Sequence, residues 1–154
     1  MGLSKLNGLY REVILDHSSH PHHKHHLSQT TNKITIKNPT CGDVINIEIK
    51  LSKTGLIEDI GFTGDGCTIS QSSASMMTDA VIGKSQSQAL HMAKTFSDMV
   101  IGKSHSQTDL DQLQDAAILS SIMSFPARIK CATLAWWALQ RVLLGEKNIN
   151  EKGA

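Results

Sequence analysis

Apolar positions along the chain follow a helical spacing first, a strand spacing next, and a helical spacing again to the end. Leu6, Leu9, Tyr10, Val13 and Ile14 fall at i, i+3, i+4, i+7 and i+8, one apolar stripe of an amphipathic helix. Ser4 is of N-cap type, and the stripe stops near His17, where Pro21 bars continuation. After Lys33 the period becomes two. Ile45, Ile47, Ile49 and Leu51 alternate with Asn46, Glu48 and Lys50, the pattern of a half-buried strand, and Ile34 and Ile36 mark a shorter one before it. Ser52-Lys53-Thr54-Gly55 reads as a turn into a third strand over 56–63. From Thr68 the spacing predicts helices over 69–82, 87–101, 109–124 and about 131–144, with Gly83, Gly102 and Gly145 placed as helix-ending glycines. Short connections favour antiparallel neighbours. Three strands and then a run of helices predict an α+β fold, a three-stranded antiparallel sheet with helices packed on one face. One domain is expected over 1–154, with flexible ends at 1–3 and 146–154.

Composition narrows the class. The chain has 154 residues, 40% of them apolar, a net charge of +1 and 19% charged residues, which excludes a polyelectrolyte and gives no reason to expect nucleic acid as a partner. No apolar run reaches the length of a membrane span, and Arg11 and Glu12 interrupt any leader-like stretch. Gly2 is followed by Leu6 where a myristoylation signal needs Ser or Thr. The expected location is the cytoplasm, where thiols stay reduced.

Two local patterns invite a functional reading and receive a plain one. His17, His20, His22, His23, His25 and His26 crowd one stretch, read as a polar loop in which an unfixed run offers weak metal sites rather than one good one. Val81-Ile82-Gly83-Lys84-Ser85 recurs as Val100-Ile101-Gly102-Lys103-Ser104. Both copies read as a helix ending at glycine with a serine near the next start, since the earlier glycine of a phosphate loop is missing and neither copy follows a strand.

The three cysteines are the candidate chemistry. An odd number, far apart at Cys41, Cys67 and Cys131, is a poor disulfide framework. Each stands at punctuation: Cys41 in the turn between the first two strands, Cys67 where the third strand gives way to a helix, Cys131 near the start of the last helix. A helix N-terminus favours the thiolate, and Arg128 and Lys130 add positive charge beside Cys131. Three thiolates need a fourth ligand for a closed tetrahedral zinc site. Asp43 is the candidate, because Gly42 lets the backbone turn so that Asp43 and Cys41 converge. Without any Cys-x-x-Cys pair, spacing alone goes no further than a three-cysteine metal site.

The motifs resemble a known family. Asn38-Pro39-Thr40-Cys41-Gly42-Asp43, Phe62-Thr63-Gly64-Asp65-Gly66-Cys67-Thr68-Ile69-Ser70 and Arg128-Ile129-Lys130-Cys131-Ala132 are similar to the cysteine motifs of the IscU/NifU N-terminal family of iron–sulfur cluster assembly proteins. Tyr10, Asp16, His17 and Pro21 match its N-terminal pattern. The chain resembles the SufU branch: Lys130 stands where IscU-type chains carry histidine, Phe125-Pro126-Ala127-Arg128-Ile129-Lys130 replaces their chaperone-binding motif, and an extra segment precedes Cys131. The histidine run replaces the family's usual Pro-Arg-Asn-x-Gly stretch.

The resemblance implies a SufE/IscU-like fold and an assembly factor rather than a conventional enzyme, at most a zinc-dependent sulfurtransferase. Cys41, Asp43, Cys67 and Cys131 would hold zinc. Cys41 would take persulfide sulfur from a cysteine desulfurase of SufS type and pass it to other iron–sulfur assembly proteins. Apart from the resemblance, Arg128 is near enough to Cys131 in the chain to pair with Asp43 or orient the thiolates. The alternative is a scaffold on which a nascent iron–sulfur cluster, or iron, is held. Other classes fare worse. A cysteine hydrolase needs an oriented histidine base, and His91 and His105 read as ordinary surface or helix-end residues. A purely structural zinc domain would keep its partner's stimulation after Cys41→Ser. Met76, Met77 and Met92 read as packing, and at least one of Trp136 and Trp137 as core, the other being free to face a partner.

Overall fold

The computed structural model describes residues 8–38, 42–145 and 149–150. Three strands, β1 (Asn32–Asn38), β2 (Asp43–Leu51) and β3 (Ile57–Asp65), pair antiparallel in sequence order. Their alternation matches the expectation: Ile34, Ile36, Ile45, Ile47 and Ile49 are buried, while Thr35, Asn46 and Thr63 form a hydrogen-bonded ladder on the opposite side. The two-residue strand β4 (Ile149–Asn150) pairs parallel to β1 and extends the sheet to the order β3-β2-β1-β4. No periodicity announces so short a strand, and it falls within the stretch expected as a flexible end.

Among the described residues, five α-helices follow the pattern with informative departures. They are α1 (Gly8–Ser19), α2 (Thr68–Val81), α3 (Gln86–Met99), α4 (Gln107–Gln112) and α5 (Ile129–Leu143). In α1 the expected stripe is covered only at its later end: Ile14 is buried and Val13 half-buried, with His17 joining them, whereas Leu9 and Tyr10 are exposed. Leu6 and the expected cap Ser4 lie outside the described residues. The helix expected over 109–124 is divided into α4 and a 3₁₀ stretch, Gln114–Ser124, whose first residue, Gln114, has φ +53°. A left-handed residue cannot continue an α-helix. Ser85 caps α3 in a reciprocal box with Gln88, but α4 is capped by Ser106 rather than by Ser104 of the repeated pentapeptide.

Helix α5 lies on the isoleucine face of β1 and β2, and α2 packs between α1 and α5. Almost every residue of α2 from Ile69 to Val81 is buried, serines included. Trp136 is fully buried and stacks on Phe96 with centroids 4.8 Å apart; Trp137 is half-buried. Met76, Met77 and Met92 are core. Among the described residues, no helix is long and apolar enough to cross a membrane.

The histidine run corrects the expectation of an unfixed loop. Residues 17–19 finish α1, and those after Pro21 lie along the outer edge of β3. The Phe62 N–H donates to the His23 carbonyl (3.0 Å), and a Cβ at Gly61 would lie 2.3 Å from the His25 carbonyl oxygen. The loop therefore covers an edge that would otherwise expose unpaired backbone groups.

Candidate metal centre

Three segments meet at one point: the first residue of β2, the residue that caps α2 and the third residue of α5. They bring Asp43, Cys67 and Cys131 together, one ligand atom of each lying within 4.8 Å of the other two. Asp43 and Cys131 are buried and Cys67 is partly so. Cys41, the fourth expected ligand, lies outside the described residues.

Each position has a local cause. Gly42, immediately before Asp43, has φ +74°, the left-handed conformation expected of it, and its N–H closes the β1–β2 connection on the Asn38 carbonyl at 2.8 Å. Cys67 is itself the N-cap of α2, with its Sγ accepting from the Ser70 N–H at 3.4 Å. Gly66 is required by space: a Cβ there would lie 2.6 Å from Asp43 Oδ1 and 2.2 Å from the Ser70 hydroxyl. Cys131 sits in the first turn of α5, and the Ser73 hydroxyl of α2 donates to the neighbouring Ala132 carbonyl (2.6 Å), tying the two helix starts together.

Asp43 divides its oxygens. Oδ1 accepts from the Cys67 N–H at 3.0 Å and from the Ser70 hydroxyl at 3.3 Å. Oδ2 is buried with no hydrogen-bond partner among the described residues. A buried acceptor left unmet costs about 1–3 kcal/mol, more when charged, and a cation beside it removes that cost. The Cys67 thiol is lowered to about 6, chiefly by the hydrogen bond from Cys131. The Ser70 and Ile69 N–H groups help, against burial and the Asp43 charge, which raise it. A thiolate at neutral pH, a second thiol and an orphaned carboxylate oxygen form a donor set suited to zinc.

Sequence reasoning missed Ser70 and Gly66. Ser70 stands three residues after the cap, where a capping partner is expected, but the sequence did not show that its hydroxyl would face Asp43. Arg128 and Lys130 are exposed, Arg128 at the N-cap of α5, while the described hydrogen bonds of Asp43 come from Cys67 and Ser70. His91 and His105 bond to Asp109 and Asp98, each at 3.1 Å, away from the thiols.

The profile of the NifU-like N-terminal domain matches residues 9–132, a span that includes all three cysteines and Asp43. The chain belongs to the NifU-like N-terminal family. Within it, the chain is 49% identical to the iron–sulfur cluster assembly scaffold protein IscU of Streptococcus pyogenes serotype M1, over 96% of this chain and 91% of the relative. It is 45% identical to the zinc-dependent sulfurtransferase SufU of Bacillus subtilis, over 96% and 97%. The fold matches the crystal structure of SufU from Fervidobacterium islandicum AW-1, described as a candidate assembly scaffold of the SUF system. The TM-score is 0.80 at 30% identity, covering 86% of this chain and 94% of that one. The α+β architecture and the family membership expected from the cysteine motifs are therefore both found, and the chain is of the iron–sulfur cluster assembly type.

Proposed function

We propose that this chain is a zinc-bound sulfur acceptor of the SufU kind, working in the cytoplasm with a cysteine desulfurase of SufS type. The observation that carries the reading is the convergence of Asp43, Cys67 and Cys131, with one carboxylate oxygen unpartnered. Cys41, two residues from Asp43 in the chain, supplies the fourth ligand. Bound zinc would hold the thiolates deprotonated at neutral pH, and the carboxylate makes the site easier to open than a fourth thiolate would. The Cys41 thiolate then attacks the outer sulfur of the desulfurase persulfide. The new S–S bond forms on Cys41 as the old one breaks, and the desulfurase cysteine leaves as thiolate, with no net oxidation. Arg128, beside the first turn of α5, orients the thiolates or offsets their charge.

Elemental analysis of freshly purified protein, with desulfurase turnover measured before and after zinc removal, tests this. At least one zinc per chain in a colourless sample, stimulation lost on chelation and restored by Zn²⁺, and no stimulation from Cys41→Ser are expected. A stable visible-absorbing cluster that transfers to apo-ferredoxin would overturn the reading in favour of a scaffold. Full stimulation by Cys41→Ser would leave only a partner-binding role. For Arg128→Ala, weaker transfer with intact metal content is expected, and unchanged activity would remove Arg128 from the mechanism.

A further inference from the structure

The metal centre occupies the N-terminal end of α2. Near the other end, on the order of 18 Å along the helix at 1.5 Å per residue, a second set of ligand side chains gathers. His17 of α1, His22 of the following loop and Asp79 of α2 each place one ligand atom within 4.8 Å of the other two.

These groups are held before any ion arrives. His17 is only 2% exposed, with both ring nitrogens engaged: Nε2 lies 2.9 Å from Asp115 Oδ2 and Nδ1 lies 2.8 Å from the Ser75 hydroxyl. A carboxylate only accepts, so the nitrogen facing Asp115, Nε2, carries a proton, and Nδ1 is the nitrogen turned inward toward Ser75. The His22 backbone N–H donates to the same Ser75 oxygen at 2.7 Å, so Ser75 ties the two histidines together, and a metal at Nδ1 would take the place of the Ser75 contact. The His17 and His22 rings lie 4.7 Å apart, and His22 Nδ1 bonds to Asp79 Oδ2. His23, at φ +60°, brings its Nδ1 within 3.4 Å of Asp79 Oδ1. Lys24 Nζ reaches Gln71 Oε1 at 2.8 Å and the Phe62 N–H holds the His23 carbonyl, so the ligands stand on docked backbone.

An ion pair would account for His22 and Asp79. It would not account for a second imidazole, buried and oriented from its far nitrogen by a carboxylate, arriving at the same point. That outer carboxylate is how metal-ligating histidines are typically oriented. We propose that His17, His22 and Asp79 form a second metal site, for a first-row divalent ion of borderline softness such as Zn²⁺, Ni²⁺ or Co²⁺. Asp115 holds His17 from outside. Two imidazoles and one carboxylate leave positions open to water or His23. The ion would clamp α1 and the histidine loop onto α2, apart from the sulfur chemistry.

The test uses the full chain, stripped of metal and then dialysed against buffered Zn²⁺, with the metal-to-protein ratio measured. Two equivalents are expected for the wild type and one for His22→Asn and Asp79→Asn. Both side chains are part-exposed, so neither substitution opens a core cavity. The second-site dissociation constant should rise at least ~10-fold in each. His20→Asn, an exposed histidine of the same run, should keep two. Loading with Co²⁺ separates the sites: the thiolate charge-transfer band should persist in His22→Asn while the weaker nitrogen–oxygen absorption of the second equivalent disappears. One equivalent in the wild type, or two retained in both variants, would overturn the proposal. So would equal losses in His20→Asn and His22→Asn, which would mark diffuse binding along the run. Melting temperatures check that each variant folds.

Discussion

At Asp43 one carboxylate does two separate things with its two oxygens. Oδ1 positions the Cys67 backbone and the Ser70 hydroxyl, while Oδ2 is left for a cation. The two roles are separable by substitution. Asp43→Asn keeps an acceptor for Cys67 and Ser70 but removes the anionic ligand. Its metal-free stability should stay near the wild type, while Zn²⁺ affinity falls by at least the ~10–100-fold that loss of a mere outer partner costs. Asp43→Leu also orphans the Cys67 N–H and should lose about 1–3 kcal/mol of metal-free stability as well. Zinc competition and urea unfolding separate the two effects, and unchanged zinc affinity in Asp43→Asn would remove the carboxylate from the ligand set. At this scale much was legible. Glycine beside Asp43 and a cysteine between a strand and a helix are local signals, and both pointed to the site. Ser70 was not legible, because its role depends on β2 and α2 meeting across distant sequence.

At the scale of elements, the histidine loop is governed by partners that no local pattern reveals. Glu48 of β2 takes bonds from His26, from the Leu27 N–H at 3.1 Å and from the Thr30 hydroxyl at 3.0 Å. Burial, the largest influence on Glu48, raises its pKa, yet the bonds from His26, Leu27 and Thr30 together hold it below the ordinary 4.5. A depressed carboxylate contributes stability above its unfolded value and loses it as pH falls through the folded value. Glu48→Gln should therefore lower the melting temperature at pH 7. The gap should close once the wild-type carboxylate is protonated in acid. Thermal melts of both proteins across pH 3 to 7 check this, and a gap independent of pH would mean that shape rather than charge holds the loop. The same limit explains α1. Its spacing correctly announced a helix, but only the later end of the stripe, Val13 and Ile14 with His17 one turn on, is covered by neighbours, while Leu9 and Tyr10 near the start stay exposed. Periodicity identifies a face; it does not identify the neighbour that covers it. The division of 109–124 likewise depends on a left-handed Gln114, a residue with no turn preference of its own.

For the whole molecule, the question is whether the metal centre builds the fold or is built by it. A small zinc finger is unfolded without its metal because it has little other core. Here the isoleucine face of the sheet, the buried helix α2 and the Phe96–Trp136 stack belong to one apolar cluster that needs no ion. The candidate ligands Asp43, Cys67 and Cys131 sit where that cluster brings β2, α2 and α5 together. Metal removal should therefore lower stability without abolishing the fold. At free zinc near 100 times its dissociation constant, binding only the native state adds about 2.7 kcal/mol, or roughly 5–10 °C in melting temperature. Chelation should cost that much while the far-ultraviolet circular dichroism of α2 and α5 is retained, and added Zn²⁺ should restore it. Collapse of the helical signal on chelation would make the ion structural, and with it any loss of desulfurase stimulation would be a loss of fold. A helical signal that survives chelation while stimulation disappears would locate the metal's role in the chemistry of the thiolates.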